Sequence, residues 1–328
     1  MLQSLPLVLF IVLTELAIGS VAVLVFLDWR SDVKRGFLIS YAFIYLFLTF
    51  LTYMFQQNFA YPVLLNSYTH VDKAWTGALG LPLLLFFLLL ILYTLFLLFD
   101  KSAGIDGKEA RAKAAAESKE GAQKGSTLRI LHLISGTATM VAGLVTLLVM
   151  AMIFRPLATT GVGGLFTVLA FFAAAFALGG VMTAMWLGHW YLVTPALSEK
   201  PLLFSTTLVL VALVAQVIFS LLIGPTVAST QSTIGAPTYT QVIATPAPSK
   251  NNEQVKPADA PVITPLSTNA IGWIRILVSF ALPLILGSLA WKLIRDRSFQ
   301  SATGMLYLIV VLTLAGEGMA RGLFLIGI

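Results

Sequence analysis

The chain has 328 residues, 58% of them hydrophobic and only 10% charged, with a formal net charge of +6. A soluble globular domain carries about 25% charged residues. This composition, with a mean hydropathy of +0.93, excludes an ordinary soluble fold and predicts an all-α, polytopic integral membrane protein. The absence of cysteine rules out disulfides, thiolate zinc sites and iron–sulfur clusters bound by this chain itself. The surplus of Lys and Arg flanks the apolar runs, so it does not point to a nucleic-acid partner; membrane lipids are the expected surroundings.

From the N-terminus, eight apolar stretches are each long enough to cross about 30 Å of hydrocarbon: 5–27, 36–55, 78–99, 130–154, 162–192, 202–223, 270–294 and 301–327. The first lacks a preceding basic region and an A-x-A site, so it reads as a retained span rather than a cleaved signal. No internal repeat or barrel-like alternation is visible. Ser135, Thr139 and Gly143 in the fourth stretch recur every four residues. Ala173, Ala174, Ala175, Gly179 and Gly180 in the fifth are similar, and both patterns let helix backbones approach closely.

Lys and Arg set the expected orientation, because cytoplasmic connections are enriched in them. Fourteen of the twenty fall in connections 1–2, 3–4, 5–6 and 7–8, which places those four inside and both termini outward. Residues 1–223 then form a six-helix membrane region with a cytoplasmic 100–129 loop, and 270–328 a two-helix C-terminal region. Between them, 224–269 is rich in Pro, Ser and Thr and poor in large apolar residues, the composition of a flexible outer linker. The 100–129 loop mixes charges around an Ala-rich centre. A solvated segment is expected there, with room for a short surface helix over Lys108–Lys119.

Candidate functional residues are the polar ones that hydrocarbon ought to exclude. Glu15 lies midway along the first stretch, and Glu317 and Arg321 stand one helical turn apart in the last. An ionisable group at that depth costs about 2.5–3.5 kcal/mol on insertion scales, so it faces protein or water and commonly has a task. One reading is a Glu317–Arg321 pair that neutralises itself and pins the first helix to the last. The other is a proton-handling or quinone-facing acid, joined on the outer side by Arg275 and His70. A quinol needs acceptors for two protons, and a carboxylate shielded from water suits that role. His132 and His189 come at similar depth near the inner ends of the fourth and fifth spans. Two facing imidazoles there would hold a haem b iron. Equally, Trp186-Leu187-Gly188-His189-Trp190-Tyr191 has the character of an interfacial aromatic belt. A transporter or a redox-silent scaffold is a further alternative, for which Pro283 and the glycines of the eighth span are the only broken-helix signals.

Two end motifs carry a family resemblance. Leu5-Pro6-Leu7-Val8-Leu9-Phe10, followed by Thr14-Glu15 and Gly19, resembles the opening of the membrane-anchor subunits of dimethyl sulfoxide reductases. Thr303-Gly304-Met305-Leu306-Tyr307, with Gly316-Glu317 and Arg321, is similar to the Gly-Glu-x-x-x-Arg pattern that closes that family. Eight spans with outward termini also match. The resemblance implies a subunit of an inner-membrane respiratory complex that oxidises menaquinol or ubiquinol and holds no metal of its own. It would pass electrons to an iron–sulfur partner and on to a catalytic subunit. By matched position the resemblance carries over Glu15, Glu317 and Arg321; His70 and Arg275 rest on topology alone.

Overall fold

The computed structural model describes residues 5–117, 127–194, 197–223, 273–274 and 276–325. Among the described residues every regular element is helical, and eight helical segments are long and apolar enough to cross a membrane. In chain order the helices are α1 (Leu5–Arg30), α2 (Arg35–Phe59), the short α3 (Pro62–Leu65) and α4 (Lys73–Thr76), α5 (Gly80–Phe99), α6 (Gly104–Glu117), α7 (Thr127–Phe154), α8 (Gly161–Val193), α9 (Lys200–Leu222), α10 (Leu282–Arg295) and α11 (Phe299–Phe324). Hydrocarbon offers backbone groups no partner, so long apolar runs resolve into helices that satisfy their hydrogen bonds internally. The multi-pass, all-α reading holds. Arg275, the 224–269 linker and the outermost residues predicted for the last two spans lie outside the described residues.

α1, α2, α5 and α7 pack together, α8 to α11 pack together, and α1 meets α8 where the halves join. α1 is the axis of the assembly: 89% of its apolar window is buried, against 33% for Lys73–Phe99. Small residues make that possible. A Cβ on Gly19 would overlap the Ala175 carbonyl, and one on Gly179 would overlap the backbone of Gly19 and Ser20, so α1 and α8 touch main chain to main chain. The small-residue spacing in the fourth span works differently. A Cβ on Gly143 would stand 3.0 Å from the Phe86 ring and 3.2 Å from Ile18, and one on Gly136 would stand 3.0 Å from Tyr93 and 3.5 Å from Val25. α7 thereby packs against α5 and α1 together.

One end of the bundle gathers the connections 1–2, 3–4, 5–6 and 7–8. Ile105 N–H donates to Val33 O at 2.9 Å, Arg297 pairs with Glu199 at 3.0 Å, and Gly36 meets the Trp190 ring. We call this the basic end. The expected solvated loop starts here as an ordered helix, α6, four residues before the predicted Lys108 start. Its docking is local chemistry: Gly104 has φ +71, and a Cβ there would stand 2.7 Å from Val33 O and Arg35 N. The Arg35 guanidinium also donates to Leu98 O at 2.6 Å and Asp100 O at 2.9 Å, securing the end of α5. Before α10 the chain makes a π-helical turn, Leu277–Ala281. Pro283 lacks the N–H that would reach back one turn and its ring crowds that carbonyl. The widened turn accommodates both effects, and the Leu282 N–H bonds Leu277 O instead.

Candidate functional site: two buried ionic networks on the first helix

The two terminal helices do meet. Glu15 on α1 pairs with Arg321 Nη2 on α11, and the same Nη2 lies 2.9 Å from Glu317 Oε1. Gln216 on α9 donates its amide to Glu317 Oε2. The Arg321 guanidinium sits 3.8 Å from the centre of the Phe171 ring on α8, a cation–π contact that adds attraction in a dry setting. Four helices thus contribute to one network, and all three ionisable side chains are buried. α11 brings Glu317 and Arg321 together by i,i+4 spacing. α1 delivers Glu15 because its burial leaves that side chain no route to solvent.

The charge balance is informative. Two carboxylates surround one guanidinium, leaving one surplus negative charge unless one acid holds a proton. A lone buried charge costs several kcal/mol, and one proton shared between the two acids would balance it. Its hydrogen bonding is also open in a complementary way. Among the described residues, Glu15 Oε2 and Arg321 Nε are buried and lack partners, one an acceptor and the other a donor.

A second network lies at the basic end, thirteen residues further along α1. Arg129 Nη1 on α7 is 3.2 Å from Asp28 Oδ1 and 3.5 Å from Asp100 Oδ2. His132, one turn on, places Nδ1 3.0 Å from Asp100 Oδ2 and Nε2 3.0 Å from Asp28 Oδ2. The Nε2 contact is poorly aligned for a hydrogen bond and leaves that atom without a partner among the described residues. Tyr93 O–H donates to Asp28 Oδ2 at 3.3 Å, its ring stacked 5.2 Å from His132. Ser31, held at φ 49 in the turn after α1, accepts from Arg129 at 3.2 Å. Burial pushes the Asp100 carboxyl up, but the hydroxyl and backbone N–H of Ser102, together with His132, outweigh it and hold it below the usual carboxylate range.

The predicted residues therefore divide. Glu15, Glu317 and Arg321 converge. His70 is half-buried in the turn before α4 and takes no part in either network. His132 is buried, both ring nitrogens facing carboxylates, while His189 is exposed; this arrangement does not fit two axial imidazoles on a haem. Sequence reasoning passed over Gln216, Asp28, Asp100 and Arg129. Gln216 carried the same signal as Glu15, an amide inside an apolar run. Asp28 and Asp100 end their helices and read as ordinary boundary charges.

Fold and networks define a multi-pass membrane protein with ionic groups buried at two depths on its first helix. No family model matches the chain, and no curated protein matches it.

Proposed function

We propose that this chain is a quinone-interacting anchor subunit of a respiratory electron-transfer complex in the cell (inner) membrane, with both termini outward. The observation that supports the reading is the pair of open groups beside one buried ion cluster, Glu15 Oε2 and Arg321 Nε. A quinol hydroxyl donates to the first, and a quinone carbonyl accepts from the second. Oxidising a menaquinol or ubiquinol releases two electrons and two protons. The ionised carboxylate of the Glu15–Glu317 pair receives the protons one at a time, each passed on before the next arrives. The electrons leave to an iron–sulfur partner, since a cysteine-free chain holds no such cluster. The transporter and scaffold alternatives have no comparable observation in their favour.

Quinol oxidation by membranes containing the assembled complex tests the reading. Glu317→Gln and Glu15→Gln keep shape and hydrogen bonding while removing a proton acceptor. Quinol-dependent electron transfer is expected to fall by roughly 10²-fold or more, with the amount of protein in the membrane unchanged. Full activity in both variants would refute the assignment.

A further inference from the structure

The network at the basic end holds more than a tie between helices requires. Arg129 and the two aspartates would join α1, α5 and α7 without an imidazole. His132 nevertheless stands between the acids, and imidazole is the side chain that changes charge near neutral pH. Charged and titratable groups face it from three helices. Asp28 comes from α1 and Asp100 from the end of α5, each with an oxygen 3.0 Å from a ring nitrogen. Tyr93 of α5 stacks on the ring, and on α7 itself Arg129 Nη1 lies 3.2 Å from Nδ1. Arg35 of α2 reaches the Asp100 carbonyl rather than the ring. With a proton on both ring nitrogens the cluster is neutral, two cations against two carboxylates. With a proton on only one, it carries a surplus negative charge in a buried setting.

The two states differ at Nδ1. It lies 3.0 Å from Asp100 Oδ2, an acceptor, and 3.2 Å from Arg129 Nη1, a donor. A protonated Nδ1 donates to Asp100, whereas a bare Nδ1 accepts from Arg129 and turns a lone pair toward Asp100. The proton of the neutral ring belongs on Nε2. That atom faces the Asp28 carboxylate and, left bare, has no donor to bond it among the described residues. Loss of the second proton is therefore felt by Asp100, which keeps only the longer 3.5 Å approach of Arg129 to the same oxygen. Asp100 also holds the start of α6. Its Oδ1 accepts from the Ser102 N–H at 2.9 Å and from the Ser102 hydroxyl. Two residues on, Gly104 is pressed against Val33 and Arg35, and Ile105 N–H donates to Val33 O at 2.9 Å. Against the upward push of burial, Ser102 and His132 hold the Asp100 carboxyl below the usual carboxylate range, so it stays ionised while the imidazole titrates. The Arg129 side chain is 10% exposed, which puts the cluster at the border with the aqueous phase.

We infer that His132 is a proton-operated latch on α6. Doubly protonated, it binds Asp100 and holds the start of α6 against the turn between α1 and α2. Singly protonated, it turns to Arg129, releases Asp100 and lets α6 lift from the basic end. Docking is complete at low pH and weakens as pH rises through the imidazole range. Release uncovers the backbone of Val33 and Arg35, so the shape of this face follows the local pH. Nothing in the latch depends on quinol chemistry at Glu15.

Hydrogen–deuterium exchange of the purified full-length protein in lipid nanodiscs, without quinol, tests the latch. The Ser102 and Ile105 amides are the ones that docking protects. After correction for the intrinsic pH dependence of exchange, peptides covering them are expected to exchange roughly tenfold faster or more at about pH 8.5 than at about pH 5.5, the loss that one charge-assisted hydrogen bond implies. Peptides from α8 are expected to show no such change. His132→Gln, which has no proton to gain, is expected to abolish the difference, while His70→Gln/His189→Gln, outside the cluster, keeps it. Equal wild-type exchange at the two pH values would overturn the latch. So would a difference that survives His132→Gln or vanishes in the double variant. The wild-type and double-variant measurements decide the matter even if His132→Gln fails to fold.

Discussion

The charge balance of the Glu15–Glu317–Arg321 network makes a prediction about stability that ordinary pairing does not. If one acid already carries a proton, replacing that acid with Gln swaps one neutral group for another of the same shape. Replacing the other costs at most one charged hydrogen bond, about 1.5–3 kcal/mol, offset when the proton leaves the remaining acid to pair with Arg321. Removing both acids is different in kind. Arg321, only 8% exposed, is left with the Phe171 ring and neutral amides, and an unpaired buried cation costs about 3–5 kcal/mol. Glu15→Gln/Glu317→Gln should therefore exceed the sum of the two single changes by about 2 kcal/mol. Adding Arg321→Gln should restore most of the loss. Unfolding by SDS in mixed micelles, followed by tryptophan fluorescence, measures all five proteins on one scale. Additive losses, or a single change as costly as the double, would refute the shared-proton account and leave two independent ion pairs.

Three further outcomes are expected. Gly19→Ala forces a methyl into the Ala175 carbonyl and should cost about 1–3 kcal/mol through overpacking, while Gly318→Ala, with open space around it, should cost nothing in the same unfolding assay. Asp100, whose carboxyl is held below its ordinary range, contributes stability that is fully present above about pH 4 and disappears as pH falls through the lower folded value. Ser102→Ala removes one of the bonds responsible, so its acid unfolding should begin at higher pH than wild type, and coincident acid curves would contradict the assignment. Protease added to intact cells should cut within 224–269 and spare 100–129; the reverse would invert the orientation.

How much was legible in the sequence depends on whether a property is local. Eight helices follow from eight apolar runs, because a chain in hydrocarbon must satisfy its backbone within each segment. Glu317 and Arg321 share a helix face by spacing alone, and the out-of-place charge of Glu15 marked it without a partner in view. Gly19 and Gly179 were visible as small residues, but not as each other's contact. That depended on which of eight similar helices pack together, and van der Waals packing among uniformly apolar surfaces leaves little trace in composition.

The sequence by itself determined the class of protein, the helices, and the three ionisable residues of the first network, since burying a charge is costly at whatever depth the fold places it. Only the tertiary structure decided that Arg321 serves two acids, that Gln216 joins them, and that His132 faces Asp28 and Asp100 rather than His189. Those pairings join residues as far apart as 306 positions in the chain. They arise because α1 runs through the centre of the bundle, where each of its acids must find a cation on whichever helix lies alongside.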